Sequence, residues 1–359
     1  MPIIDSDTHV IESERTWEFM EEHEQGFKPL VVVPKSGGPA ERTTGFSGAR
    51  NFVINEFWII EGRAKQKRSS FKSVEVTDEQ AEMQDIESRL AHMDELGVDV
   101  HVLYPTIFLS PLTRRPEVEV ALYRSYNRWL AEVWKEAPER LRWVVCPPLM
   151  SSMDVVRKEI EFGKENGACG IFMRGLECDR MVSDPYFHPL YEMASDLDMP
   201  ICLHSGTGNA QIHDFFDMDP GFSKFKLAMV GAFHALIWNE VPQKFPDLRW
   251  GFIECSSQWL PYAINDLEIR FRMRHRKFPD DVLADTNIYV AVQVTDDLDY
   301  VVKNVNPDYL VCGTDYGHYD TSTEIEALRK LRDDGKLGDK IVDRMLDDNA
   351  KRLYALNGV

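Results

Sequence analysis

The chain has 359 residues, 43% of them hydrophobic and 11% aromatic, which suffices for a large core and suits either one barrel or two ordinary domains. Its formal net charge of −19, with no compensating basic tail or stripe, argues against a phosphate-backbone partner, so no nucleic acid is expected. The start lacks the basic and apolar regions of a signal peptide, and no run of about 18 apolar residues could span a bilayer. The six cysteines are scattered without a C-x-x-C pair, so a soluble, cytoplasmic protein with reduced thiols and no membrane partner is expected.

The first predicted element is a strand, Ile3-Ile4-Asp5-Ser6-Asp7-Thr8-His9-Val10. Strand side chains alternate with period two, so Asp5, Asp7 and His9 share one face. A convergent polar face on a strand entered through Ile-Ile is costly to bury unless a cation or hydrogen-bond donors compensate. Residues 11 to about 78 then interrupt the regularity and are read as an insertion at the exit of strand one. Within it, Phe52-Val53-Ile54 and Phe57-Trp58-Ile59-Ile60 flank Asn55-Glu56 as a hairpin, and Gly37-Gly38-Pro39 and Gly45 mark loops. Phe57 and Trp58 either line a substrate pocket or pin the hairpin to the body. The basic residues Arg63, Lys65, Lys67 and Arg68 are read as a solvated turn.

From residue 79 the pattern becomes an alternation. A helix carries Met83, Ile86, Leu90, Met93 and Leu96 on one face and ends at Gly97. Strands follow at 98–104, 141–146, 169–173, 200–204, 249–254, 287–292 and 308–314. Between and after them the periodicity predicts helices through Tyr126 and Trp134, over 153–165, 188–198, 224–240, 259–274, 323–333 and 338–355. Strands of nearly unbroken apolar character separated by helices indicate a parallel sheet covered on both faces. The expected fold is α/β, a single (β/α)8 barrel over 1–359.

In such a barrel the residues at the carboxyl ends of strands converge on one mouth. Strand one ends in Asp7 and His9, strand five in His204, and strand eight in Asp315. Two carboxylates and two imidazoles suit a mononuclear site for one divalent ion, Zn²⁺ first and Mn²⁺ or Mg²⁺ next, with an open position for water or substrate. Arg174 ends strand four, where its guanidinium either captures a substrate carboxylate or pairs with Glu177 or Asp179. Tyr104 and Trp259 are candidate walls. His213 and His318 lie in mouth loops, where each is either a proton-exchanging group facing substrate or simply exposed. His188 reads as structural, His101 as packing, and the run Arg270 to Lys277 as a solvated helix end.

The opening IIDSDTHVIE, the phrase FHPLYEMASDLDMPICLHSG, the stretch VPQKFPDLRWGFIECSSQWLPYAINDLE, the ending GTDYGHYD and the late DNAKRLYAL together resemble the amidohydrolase superfamily. The resemblance is to the branch that contains aminocarboxymuconate semialdehyde decarboxylase and gamma-resorcylate decarboxylase. It covers residues 1–10 and 79–357, and implies that Asp7, His9, His204 and Asp315 hold the metal. Two departures stand out. Strand one carries D-x-H where the family often has H-x-H or E-x-H, and strand six ends in Glu254 where several members have histidine. Glu254 is then a fifth ligand, a general acid/base, or a group that orients His204. No lysine ends strand four, so a carbamylated-lysine dinuclear site is not expected.

Two reactions share these ligands. In the first, favoured by the resemblance, an aromatic or unsaturated carboxylate loses carbon dioxide without oxidation, with Asp315 or a mouth histidine supplying the proton. In the second, activated water hydrolyses a C–N or lactone bond, with Asp315 as base. A metal-containing binding protein without catalysis is the remaining reading. The expected partners are a small-molecule substrate and, from the resemblance, a second copy in a dimer.

Overall fold

The computed structural model describes residues 2–33, 56–67 and 75–356. Eight parallel strands pair in chain order: β1 Ile4–His9, β2 Val100–Tyr104, β3 Leu141–Val145, β4 Ala168–Arg174, β5 Ile201–His204, β6 Trp250–Ile253, β7 Ile288–Val292 and β8 Leu310–Cys312. With helices between them they form a nearly closed (β/α)8 barrel, as expected from the alternation. β4 is buried along its whole length, as is β1, since each strand has the barrel interior on one face and helices on the other.

The helices α1 Ile86–Leu96, α2 Pro116–Glu136, α3 Met153–Glu165, α4 His188–Asp196, α5 Leu227–Trp238, α6 Leu260–Met273 and α7 Leu298–Asn304 lie between successive strands. Local signals set their ends. The Asp85 carboxylate caps α1 by accepting from Ser88 N, Gly97 closes it with φ 71°, and Pro116 occupies the first turn of α2. The expected helix from residue 79 is split into Asp78–Ala81 and α1, with Met83 at φ 53° in the break. The predicted 224–240 helix is likewise two pieces, a π turn Phe222–Lys226 and then α5. α7 had no range in the sequence reading. It is only seven residues long and starts at the Asp297 carboxylate, which accepts from Tyr300 N.

β8 is shorter than predicted, and past its end the chain runs on against β1. Asp315 N donates to Asp7 O (2.9 Å) and His9 N to Tyr316 O (2.7 Å). Beneath them the buried Asp5 carboxylate accepts from Thr314 N (3.0 Å) and Thr314 Oγ1 (2.6 Å). A side chain thus bridges the seam, and it needs close contact. A Cβ on Gly313 would sit 2.2 Å from that of Asp7, so only glycine fits there.

The segment after β1 differs from the sequence reading. Phe57–Ile60 pairs antiparallel with Arg63–Gln66, turning at Glu61 and Gly62, and on its other side with Leu30–Val32. The expected arm Phe52-Val53-Ile54, the loop glycines Gly37, Gly38 and Gly45, and Arg68 lie outside the described residues. Trp58 is fully buried edge-on to Trp17, with ring centroids 5.8 Å apart, and so pins the sheet to the barrel. Lys67 corrects the solvated-turn expectation. It is buried between Glu82 (3.0 Å) and Glu56 (3.1 Å). Among the described residues no helix is long and apolar enough to cross a membrane.

Candidate active site

The strand-end residues converge. Asp7 and His9 from β1, His204 from β5, Glu254 just past β6, and Asp315 and His318 past β8 are all buried. His204 Nε2 lies 3.2 Å from Asp7 Oδ1 and 3.3 Å from Glu254 Oε2. His9 Nε2 faces Asp315 Oδ1 at 3.4 Å, Asp7 Oδ1 at 3.5 Å and Glu254 Oε2 at 3.6 Å. Two overlapping sets of ligand atoms result, Asp7, His9, His204 and Glu254 in one, and His9, Glu254, Asp315 and His318 in the other, with all atoms of a set within 4.8 Å.

The hydrogen bonds around this cluster test whether it fits a metal. His9 Nδ1–H donates to Pro105 O (3.0 Å) and His204 Nδ1–H to Ser205 O (3.1 Å). Those bonds fix the tautomers and leave each Nε2 with its lone pair turned toward carboxylate oxygens. Lone pairs facing lone pairs in a buried site repel unless a cation sits between them. His9 Nε2 and Glu254 Oε2 have no hydrogen-bond partner, although unpaired buried polar atoms are rare in native proteins, and Asp315 Oδ1 has only His318 Nδ1 close by (2.9 Å). The donor set, two imidazole nitrogens with carboxylate oxygens, fits Zn²⁺ or Mn²⁺.

Both carboxylates past the strand ends are held in the left-handed region, Glu254 at φ 58° and Asp315 at φ 56°. Such strain persists only when surrounding bonds over-determine it. For Glu254 the anchor is Asp296, a residue the sequence reading missed. Its carboxylate accepts from Ser256 Oγ (2.6 Å), Ser257 N (2.8 Å), Ser257 Oγ (2.7 Å) and Gln293 N (3.1 Å), tying the turn after β6 to the exit of β7. For Asp315 it is Thr323, whose hydroxyl donates to Oδ2 (2.6 Å) and leaves Oδ1 for the cluster.

Without a cation the charges settle unevenly. Burial, reinforced by Asp315, pushes the Glu254 carboxyl well above the usual range, and burial with Asp320 does the same to Asp315. Burial drives His9 and His318 down to about 4, so both rings are neutral. A dication would favour the deprotonated forms of the residues that ligate it.

The remaining predicted residues lie elsewhere. Arg174 does not face the cluster with free donors. Its Nε and Nη2 go to the two oxygens of Glu177 (2.7 and 2.6 Å), its Nη1 to Phe108 O (2.8 Å) and Ser110 O (3.3 Å), and Nη2 also to Tyr123 Oη (3.4 Å). Pairing with Glu177 therefore replaces the expected substrate clamp. Tyr104 is fully buried against His204 (4.9 Å) with its hydroxyl on that of Tyr354 (2.8 Å), so it floors the site. Trp259 stands behind β6, edge-on to Phe233 (5.0 Å), with its indole N–H on Ser256 O (2.7 Å), and is no wall of the mouth. His318 belongs to the cluster itself, stacked on His9 at 3.6 Å, its Nε2 2.8 Å from Thr106 Oγ1. His101 lies against Arg89 (3.2 Å) inside the fold, and His213 sits beside Asp214 (3.3 Å).

Comparison with solved structures gives the same fold at low identity. An amidohydrolase from Mycobacterium avium subsp. paratuberculosis K-10 superposes with a TM-score of 0.77 at 16% identity, covering 98% of this chain and 97% of that one. 5-Carboxyvanillate decarboxylase from Sphingomonas paucimobilis gives 0.67 at 16% identity, covering 99% of each chain. Dihydroxybenzoic acid decarboxylase from Polaromonas sp. JS666, solved with manganese and 2-nitroresorcinol, gives 0.66 at 17% identity over 100% of this chain and 98% of that one. No curated protein matches the sequence. The amidohydrolase family model matches residues 4–356, nearly the whole length, and the chain belongs to that family.

Proposed function

We propose that the protein is a divalent-metal-dependent lyase that removes carbon dioxide from an aromatic or unsaturated carboxylate. The observation that carries this reading is Glu254, whose buried Oε2 has no hydrogen-bond partner and faces the donor cluster; we assign the metal to Asp7, His9, His204 and Asp315 and leave Glu254 to the substrate. A carboxyl so placed is a proton donor beside the bound substrate, as the reaction requires. A divalent ion held by those four residues would supply electrophilic stabilisation of the negative charge that develops on the substrate.

The protein's own part is then as follows. Glu254 hands its proton to the ring carbon that bears the carboxylate. The carbon–carbon bond breaks, its electron pair returns to the ring, and carbon dioxide leaves. Asp315, turned by Thr323 so that one oxygen faces the cluster, and the neutral His318 stacked on His9 close the site against adventitious water. The decarboxylases among the structural neighbours support the substrate class by analogy of fold.

The hydrolytic reading has one observation in its favour, the Oδ1 of Asp315, which faces the cluster beside His318 Nδ1 (2.9 Å) and suits a base for water. One experiment separates the two. Protein loaded with manganese or zinc is given hydroxybenzoates and unsaturated dicarboxylates with carbon dioxide release followed, and in parallel lactones and amides with hydrolysis followed. Carbon dioxide release that is lost in Glu254→Gln, with metal retained, is expected. Hydrolysis without carbon dioxide release would replace the proposal by the second reading, and stoichiometric metal with no turnover would leave the binding-protein reading.

A further inference from the structure

Decarboxylation implies an anionic substrate, and the expected cation, Arg174, has its donors committed to Glu177 and to carbonyls. The mouth has another. Lys226 stands at the entry of α5, following the long loop from β5, and its Nζ reaches Ser322 Oγ at 3.0 Å in the loop that follows β8. The contact joins the loop after β5 to the loop after β8, whose strands are separated by β6 and β7. Among the described residues it makes no ion pair, and its ammonium is tethered only by a neutral hydroxyl. The Lys226 charge is felt by Glu254 and by Cys255 at the exit of β6.

The backbone that presents this lysine is built for the purpose. Asp219 accepts from Gly221 N (2.8 Å), Ser223 N (3.0 Å) and Ser223 Oγ (2.9 Å), and Gly221 reverses the chain at φ 106°. One π turn, Phe222–Lys226, follows, closed by Leu227 N on Phe222 O. The extra residue of a π turn rotates what precedes it by about 100° relative to a regular helix, and such turns cluster at functional sites. Lys65 offers no equivalent, because Asp214 and Asp217 share its surroundings with Lys224 and Arg63.

We propose that Lys226 is the anion-binding residue of this site and that its ligand is the carboxylate of an aromatic or unsaturated acid lying between the π turn and the Glu254 side of the donor cluster. The proposal rests on the carboxylate reading of the substrate, but not on decarboxylation itself. An anion binding there displaces Ser322 as the partner of Nζ and gains a charge-assisted hydrogen bond. Lys226 holds the carboxylate in the ground state, where it is fully charged, and that charge is lost as carbon dioxide forms, so loss of Lys226 raises KM more than it lowers kcat.

The test uses the manganese-loaded full chain and two probes, benzoate and the isosteric neutral benzamide, titrated calorimetrically against the parent, Lys226→Met and Lys226→Arg. Melting temperature and manganese content are measured on each. Loss of a charged hydrogen bond corresponds to a weakening of about tenfold or more. That loss is expected for benzoate in Lys226→Met, with benzamide unchanged and Lys226→Arg close to the parent. Equal weakening of both probes, no weakening of either, or no saturable benzoate binding by the parent overturns the proposal. Lys226-dependent benzoate binding without carbon dioxide release from any acid would end the decarboxylase reading and leave this site standing. Carbon dioxide release with an unchanged KM in Lys226→Met would do the reverse.

Discussion

Two clusters of buried charge sit at the carboxyl ends of the barrel strands, and they are satisfied to very different degrees. Around Arg174 the guanidinium, the Glu177 carboxylate and the neighbouring carbonyls pair completely, and the nearby Glu119 carboxyl accepts from Met150 N at 2.7 Å. Around His9 two ligand atoms, His9 Nε2 and Glu254 Oε2, remain without a hydrogen-bond partner at equal burial. Burial and charge alone therefore do not mark a site. What separates the two is unpaired coordination capacity, since a closed ion-pair network answers its own desolvation while an open one needs something from outside.

The sharpest way to break this contrast is to remove a ligand from the open cluster. His204→Ala is expected to reduce bound metal from near one equivalent, measured by plasma mass spectrometry, to background, and to abolish turnover with it. Retained stoichiometric metal would displace His204 from the site. Removing a member of the closed cluster should instead cost fold stability. Arg174→Met leaves the Glu177 carboxylate buried and unpaired, and is expected to lower the unfolding free energy by about 3–5 kcal/mol in urea titrations, with much of the loss recovered in Arg174→Met/Glu177→Leu.

Asp296→Ala sits between the two, because it frees the strained turn that carries Glu254 without touching the metal. Loosened support of this kind is expected to lower carbon dioxide release about 10- to 100-fold, while metal content and secondary structure stay intact; a loss of metal instead would make Glu254 a ligand. The smallest effect belongs to Glu119. Burial raises its carboxyl from 4.5 to about 8, so the folded protein holds that proton more tightly than the unfolded chain. The associated stability is full below pH 4.5 and is lost as pH rises to about 8. Glu119→Gln cannot lose a proton, so its melting temperature should gain on that of the parent across this window. A difference independent of pH would remove the assignment.

Much of the barrel and four residues of its donor cluster were legible because both follow from short-range rules. Asp7 and His9 alternate on a strand, and His204 and Asp315 end strands of plainly apolar character, so period two and the convergence of strand ends locate them without coordinates. The partner of Arg174 lay three residues away and was named as an alternative, but nothing in the sequence decides whether a guanidinium turns inward or toward the mouth. Asp296 and Lys226 were invisible for a different reason. The bonds of Asp296 reach back 39 and 40 residues, and that of Lys226 reaches forward 96, across loops without periodicity. Lys226 also depends on one extra residue in a helical turn, which hydrophobic patterning does not register. Trp259 failed as a wall because a helix start next to an active strand points its first aromatic residue outward, onto Phe233, as readily as inward.

The seam between β1 and β8 has a consequence for how the protein is made. Asp5 and Thr314, 309 residues apart, lock the first strand to the segment after the last, and the β1 residues of the cluster, Asp7 and His9, have Asp315 on the far side of that lock. A nascent chain leaving the ribosome carries Asp7 and His9 from the outset but cannot complete the coordination sphere until strand eight has emerged and the ring has closed. On the proposed ligand set, metal capture would follow ring closure, and a cation bound with full affinity would report that the whole ring has been assembled.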